Sequence, residues 1–289
     1  MADQAAKLRE IIKFSSQEHI QHKPRIITIT SGKGGVGKTN FVINLAVALS
    51  KKGKRVVIFD ADLGMANADV LLGVVPSYTL YDVLQGSKTL QEVMISGPEN
   101  IQLIPGASGM EELANLDNFQ RERLMQGLKK LEVDTDFLLI DTGAGISKNV
   151  LGFVSAADEL IVILTPEPTS LTDAYGIMKI VSKFKLHPAV HMVVNRVNSR
   201  QEAMRTISKI EVVTKKFLQL KVSPLGYIHD DKVVNKAVMK QEAFILKYPN
   251  SVAADNILQI ATNLLQGNFR PPKGTTGFIN RLISLFAKE

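Results

Sequence analysis

Short apolar runs recur along the chain, with stretches of helical spacing between them. "RIITIT" (25–30), "RVVIFD" (55–60), "FLLID" (137–141), "ELIVILTP" (159–166) and "AVHMVVNRV" (189–197) are rich in β-branched residues and lack polar alternation. Such runs predict strands buried on both faces. "FVINLAVALSKKG" (41–53) has helical spacing instead and stops at Gly53 after two lysines, a favourable helix end. Strand-like and helix-like segments in alternation predict an α/β fold: a single doubly wound, mostly parallel sheet covered on both faces. Several strands end in Asp or Asn, and in such sheets ligands bind beyond the carboxyl ends of the strands.

The pattern also divides the chain. Residues 1–23 form an N-terminal extension before the first strand, and 24–266 make the α/β body. Residues 267–277, rich in Gly and Pro, predict a linker. In "FINRLISLFAKE" (278–289), Phe278, Ile279, Leu282, Ile283, Leu285 and Phe286 fall within an arc of roughly 160° at helical spacing. That segment is too short to span a bilayer but can lie in the membrane interface, and the linker predicts a detachable arm.

Composition narrows the setting. The 289 residues are 45% hydrophobic, enough for a sizeable core, and contain no cysteine, which excludes disulfides and thiolate metal sites. The N-terminal stretch mixes charge into every turn, unlike a secretory signal, and no apolar run of about 18 residues occurs, so a cytoplasmic protein is expected. A formal charge of +7 suits an acidic partner without choosing between anionic lipid and nucleic acid.

Candidate chemistry centres on "SGKGGVGKTN" (31–40). Gly32, Gly37, Lys38 and Thr39 satisfy the G-x-x-x-x-G-K-[ST] pattern between a strand and a helix. Glycines let backbone N–H groups curl around phosphate oxygens, and the helix N-terminus behind them favours anions. Lys38 is expected at the β and γ phosphates and the Thr39 hydroxyl at Mg²⁺; Gly34, Gly35, Val36 and Asn40 complete the cradle. A second lysine, Lys33, makes the loop read "KGGVGKT". This resembles the deviant Walker A motif of the MinD/ParA family of ATPases. The resemblance covers roughly residues 24–266 and implies that Lys33 crosses a dimer interface to the phosphates of the other subunit's ATP. In physical terms, positive charge is delivered in trans where negative charge develops.

Three acids follow the loop. Asp60 and Asp62 in "VVIFDADLGMAN" lie beyond a strand end, and alternate residues project to one side of an extended chain. By resemblance Asp62 orients the attacking water and Asp60 supports Mg²⁺ through water, although either carboxylate could reach either ligand. Asp141 in "FLLIDTGAGI" occupies the Walker B position and helps hold the Mg²⁺ shell, while Gly143, where many relatives have Pro, and Gly145 allow close backbone approach. Asn195 matches a family asparagine that bonds adenine. The "GYIHDD" loop (226–231), with Ile228, His229 and Asp230, matches the segment that cradles the base, and His229 stands where many relatives have Pro. No guanine-reading tetrad follows Asn195, so ATP is expected over GTP. His187 and His191 have a zinc-like spacing, but Pro188 argues against a helix there and they read as loop and strand.

The N-terminus carries a narrower resemblance. "DQAAKLRE" (3–10) is similar to the D-Q-A-x-x-L-R motif that opens the FlhG family of flagellar regulators. In that family this segment stimulates the GTPase FlhF. The resemblance implies that Gln4 orients an attacking water, with Asp3, Leu8 and Arg9 as docking contacts. The expectation is therefore a slow, regulatory ATP hydrolase with ATP and Mg²⁺ as cofactors. Its expected partners are a second copy of itself, FlhF, the flagellar switch complex and the anionic inner face of the cell membrane, with no specific nucleic acid. A division-site ATPase of the MinD type, a DNA-partitioning ATPase of the ParA type and a nucleotide-gated scaffold are the alternatives.

Overall fold

The computed structural model describes residues 23–62, 67–106, 116–267 and 272–286. Asp3, Gln4, Leu8 and Arg9 lie outside them. Eight strands form one sheet: β1 (Arg25–Ser31), β2 (Val56–Ala61), β3 (Ile95–Ser96), β4 (Gln102–Ile104), β5 (Phe137–Ala144), β6 (Glu159–Leu164), β7 (Ala189–Val197) and β8 (Lys221–His229). Their order is β3-β4-β2-β5-β1-β6-β7-β8. Every pairing is parallel except that of the two-residue edge strand β3 with β4.

Among the described residues the helices are α1 (Lys38–Ser50), α2 (Ala68–Leu72), α3 (Leu80–Gln85), α4 (Leu90–Val93), α5 (Asn118–Lys130) and α6 (Lys148–Ala156). They continue with α7 (Pro168–Lys183), α8 (Arg200–Phe217), α9 (Lys232–Met239), α10 (Phe244–Lys247), α11 (Val252–Gln266) and α12 (Gly274–Phe286). The period-two alternation of the central strands splits the core between the two faces. Ile27, Ile29, Ile58, Leu139 and Ile161 pack under α1 and α11. Ile26, Val57, Phe59, Leu138 and Ile140 face the other way, against α3 to α6. A third cluster joins β6 and β7 to α7 and α8. With β1 central, its carboxyl end opens onto the phosphate loop, flanked by the ends of β2, β5, β6 and β7.

Several boundaries differ from expectation. β3, β4 and β8 carry no strong apolar run and were not anticipated. Gly226–His229 of the expected "GYIHDD" loop are the end of β8, leaving Asp230 and Asp231 as the turn.

The tail differs most. Its helix begins at Gly274, so the second half of the expected linker is helical or leads directly into helix. The arm is docked: Phe278, Ile279 and Leu282 are buried in the protein core. Phe278 stacks on Phe153 with ring centroids 6.4 Å apart, and Phe153 meets Phe59 edge-on at 5.7 Å. An apolar helical face is equally suited to lipid and to a protein groove, and here the groove between α5 and α6 covers it. Ile283, Leu285 and Phe286 belong to the same helix. Polar anchors fix both sides. Glu132 accepts from Thr275 N at 2.6 Å and Thr275 Oγ1 at 2.8 Å, and Asp158 accepts from Lys273 N at 3.2 Å and Arg281 Nη2 at 3.3 Å. Among the described residues no helix is long and apolar enough to cross a membrane.

Candidate nucleotide site

A cavity of about 1020 Å³ opens at the carboxyl ends of the strands, with Gly34 to Asn40 along one side. The loop backbone needs its glycines: Gly35 and Gly37 have φ of 77° and 90°, a left-handed conformation that side chains with a Cβ resist. A Cβ on Gly37 would also stand 2.5 Å from Asn195 Nδ2. That nitrogen donates to Val36 O at 2.7 Å, so the end of β7 clips the loop in place. Asn195 lines the cavity as a base contact should, with one of its two amide hydrogens spent on Val36 O.

Lys38 Nζ donates to Asp141 Oδ1 at 2.6 Å, and both side chains are buried. An incoming phosphate would compete for that ammonium. Asp141 Oδ2 is buried with no hydrogen-bond partner among the described residues. Burial pushes the Asp141 carboxyl up, while Lys38 and the Thr39 hydroxyl oppose the shift. A carboxylate oxygen left bare beside a threonine hydroxyl fits Mg²⁺, which takes one or two protein oxygens and completes its shell with phosphates and water. Thr39 and Asp141 would hold the ion, directly or through water. Bound there, it would neutralise charge on the β and γ phosphates.

Sheet register sets Asp60 directly beside Asp141. Asp60 Oδ2 accepts from Asn67 N and Ala68 N at 3.1 Å, and Oδ1 accepts from Asp62 N at 3.2 Å. It therefore organises the segment leading into α2 and does not itself line the cavity. Asp62 does line it, with Oδ1 3.4 Å from where a Cβ on Gly143 would stand. A Cβ there would make only ordinary van der Waals contact with the Asp62 carboxylate. Gly32, Lys33 and Gly145 lie off the cavity surface, whereas Ile228, His229 and Asp230 line it.

Burial, and next to it the Asp141 charge, push the Asp60 carboxyl up to about 7. Because the folded state holds this proton more tightly than the unfolded chain, the group's contribution to stability is full in acid and is lost as pH rises through 7. Without Mg²⁺ and nucleotide, wild type should lose about 1–2 kcal/mol relative to Asp60→Asn between pH 5.5 and 8. Denaturant melts of both proteins in EDTA check this; parallel pH profiles would contradict it.

Lys33 points elsewhere. Its Nζ lies 2.9 Å from Glu167, just before α7, and 3.2 Å from Thr169 Oγ1 in the first turn of that helix, with the side chain 43% exposed. Gly32 makes this approach feasible, since a Cβ there would fall 2.3 Å from the Asp173 backbone. The sequence reading missed Glu167, although its place just after a strand end was the available signal. It also missed Asn149, Asn235, Val238 and Phe244 on the cavity wall, which belong to no motif.

Residues 24–194, more than half of the chain, match the family described as an AAA domain. The antiactivator FleN of Pseudomonas aeruginosa is 40% identical over 233 residues, covering 81% of this chain and 83% of that protein. The flagellum site-determining protein YlxH of Helicobacter pylori is 32% identical, covering 98% and 99%. The chain belongs to the FlhG (FleN/YlxH) family of MinD-like P-loop ATPases. Its fold follows. MinD of Pyrococcus horikoshii, solved with Mg-ADP, is 29% identical with a TM-score of 0.69, covering 84% of this FlhG-family chain and 96% of its own. A nucleotide with Mg²⁺ is thus the ligand class of the site, and ATP hydrolysis the activity of the family.

Proposed function

We propose that the protein is an ATP-driven dimerisation switch that controls flagellar number and placement from the cytoplasmic face of the membrane. The observation that carries this reading is the position of Lys33. A cation built into the phosphate loop lies outside its own cavity and is held by an exposed hydrogen bond to Thr169 and an exposed ion pair with Glu167, the pair worth about 0–1 kcal/mol. It is available to another subunit's phosphates. Two subunits would meet face to face across their ATP molecules, with Lys33 of each completing the other's site. Asp62 would orient the attacking water, and hydrolysis would return the protein to monomers.

The tail gives the switch an output. Docked, it buries Phe278, Ile279 and Leu282 in the protein. Released, the same face together with Ile283, Leu285 and Phe286 would enter an anionic membrane surface, and two tails in a dimer would bind far better than one. The names of the FleN and YlxH relatives support a flagellar role. The N-terminal motif supports stimulation of FlhF, and switch-complex proteins are the further partners.

The test follows GTP hydrolysis by purified FlhF with the full-length protein added, Gln4→Ala serving as control. About tenfold stimulation by wild type, lost in the variant, is expected from a water-orienting amide. Binding to FlhF without stimulation would overturn the assignment and favour a division-site role of the MinD kind.

A further inference from the structure

The hydrogen bonds around His229 fix which ring nitrogen carries the proton. Asn256, on α11, accepts the backbone N–H of His229 through Oδ1 at 3.0 Å, and the same oxygen lies 2.9 Å from His229 Nδ1. A backbone N–H can only donate, so the amide must present its oxygen to it and not its NH₂ group. An amide oxygen only accepts, so Nδ1 must carry the hydrogen. In the neutral ring Nε2 is then left with a lone pair. Tyr227 packs edge-on against the ring with centroids 5.3 Å apart, which limits its rotation. No partner for Nε2 occurs among the described residues.

His229 is among the residues that line the cavity, together with the apolar Ile228, Val234, Val238 and Phe244. Asp230 and Asp231, next to it in sequence, disfavour phosphate, so a flat base suits this part of the cavity. Asn195, the other side chain singled out for base contact, already spends one Nδ2 hydrogen on Val36 O and accepts Arg196 N through Oδ1. His229 thus brings an uncommitted acceptor, of fixed tautomer, to this part of the cavity.

We propose that His229 Nε2 accepts a hydrogen bond from the exocyclic amine of adenine and so selects adenine nucleotides; this rests on the cavity being a purine nucleotide site. A purine with a keto oxygen at that position would set lone pair against lone pair. Reversing the tautomer to receive it would break the Nδ1–H bond to Asn256. The discrimination therefore comes from a polar mismatch at the half-buried ring, which hydrogen-bonding sites use more effectively than shape. Asn256 acts as a positioning residue for the tautomer.

The experiment measures binding of the magnesium complexes of ADP, IDP and purine riboside diphosphate, which lacks the amine, to the full-length protein. Wild type should prefer ADP to purine riboside diphosphate by about tenfold and to IDP by more. His229→Phe, which keeps an aromatic ring, should weaken ADP about tenfold and leave purine riboside diphosphate unchanged, so that their ratio collapses. Asn256→Asp keeps the acceptor and should preserve discrimination, whereas Asn256→Leu should erode the preference over IDP while ADP still binds. Equal weakening of all three ligands by His229→Phe, or an unchanged ratio, overturns the assignment of His229 alone. Failure of wild type to bind any of the three overturns the nucleotide reading and the inference with it.

Discussion

Mixing two inactive variants, Lys33→Ala and Asp62→Ala, restores ATP hydrolysis to about a quarter of the wild-type rate if Lys33 works in trans. Each variant alone should fall by about a hundredfold or more, because one lacks the cation opposite the developing charge and the other the carboxylate beside the attacking water. In an equal mixture half the dimers are mixed. Within each mixed dimer, one site has its own Asp62 and receives Lys33 from the neighbour, while the other site lacks both. The rate should therefore follow the product of the two fractions, peaking at equal amounts and vanishing at either end. Were Lys33 to act on its own subunit's nucleotide, no mixed dimer would contain a complete site and every mixture would stay inactive. The geometry favours the first outcome. Lys33 is held by Glu167 and Thr169 on the rim, while Lys38 alone of the two lysines lines the cavity. Phosphate release across mixing ratios separates the two cases when both proteins are well above their dimerisation constant.

What could be read from the sequence follows from how local the chemistry is. The phosphate loop was legible because a strand, a glycine turn, a lysine and a helix start must be contiguous to make a phosphate cradle. Asp60 and Asp141 were legible because a parallel sheet places strand ends at the ligand, and the register sets the two side by side. Their unequal use was not legible. Three backbone donors from the segment around α2 engage Asp60, and only folding brings Asn67 and Ala68 back to it. Glu167, Asn256 and Phe244 were missed for the same reason: each reaches the site across a long sequence separation and carries no motif. β3 and β4 are too short to have periodicity. The tail illustrates a different limit. Its apolar face was identified correctly as helical, but periodicity reports that a face is apolar, not whether protein or lipid covers it.

That limit shapes the other large effect, at Glu132. Its Oε1 accepts from Thr275 N, Thr275 Oγ1 and, at 3.4 Å, Thr276 N, so a carboxylate next to α5 caps the first turn of α12. Unbonded N–H groups at a helix start are satisfied here by a residue far off in sequence, and a negative charge there also suits the helix dipole. Glu132→Ala removes the cap without touching Phe278, Ile279 or Leu282. Loss of such a charged cap costs about 1–3 kcal/mol, equivalent to a rise of roughly fivefold to 150-fold in the undocked population. Hydrogen exchange at residues 278–282 should accelerate by that factor while α11 keeps its protection, and Glu132→Gln, which retains an oxygen acceptor, should fall between. Without ATP, the Ala variant should also float with anionic vesicles where wild type does not. Unchanged exchange would mean that aromatic packing alone holds the helix and that the polar anchors do not set the balance. In the proposed switch the apolar face would contribute to both the docked and the membrane-bound state, so it cannot by itself decide between them. Contacts present in only one state can, and on the docked side these are Glu132 at the helix start and Asp158 with Arg281 along its flank.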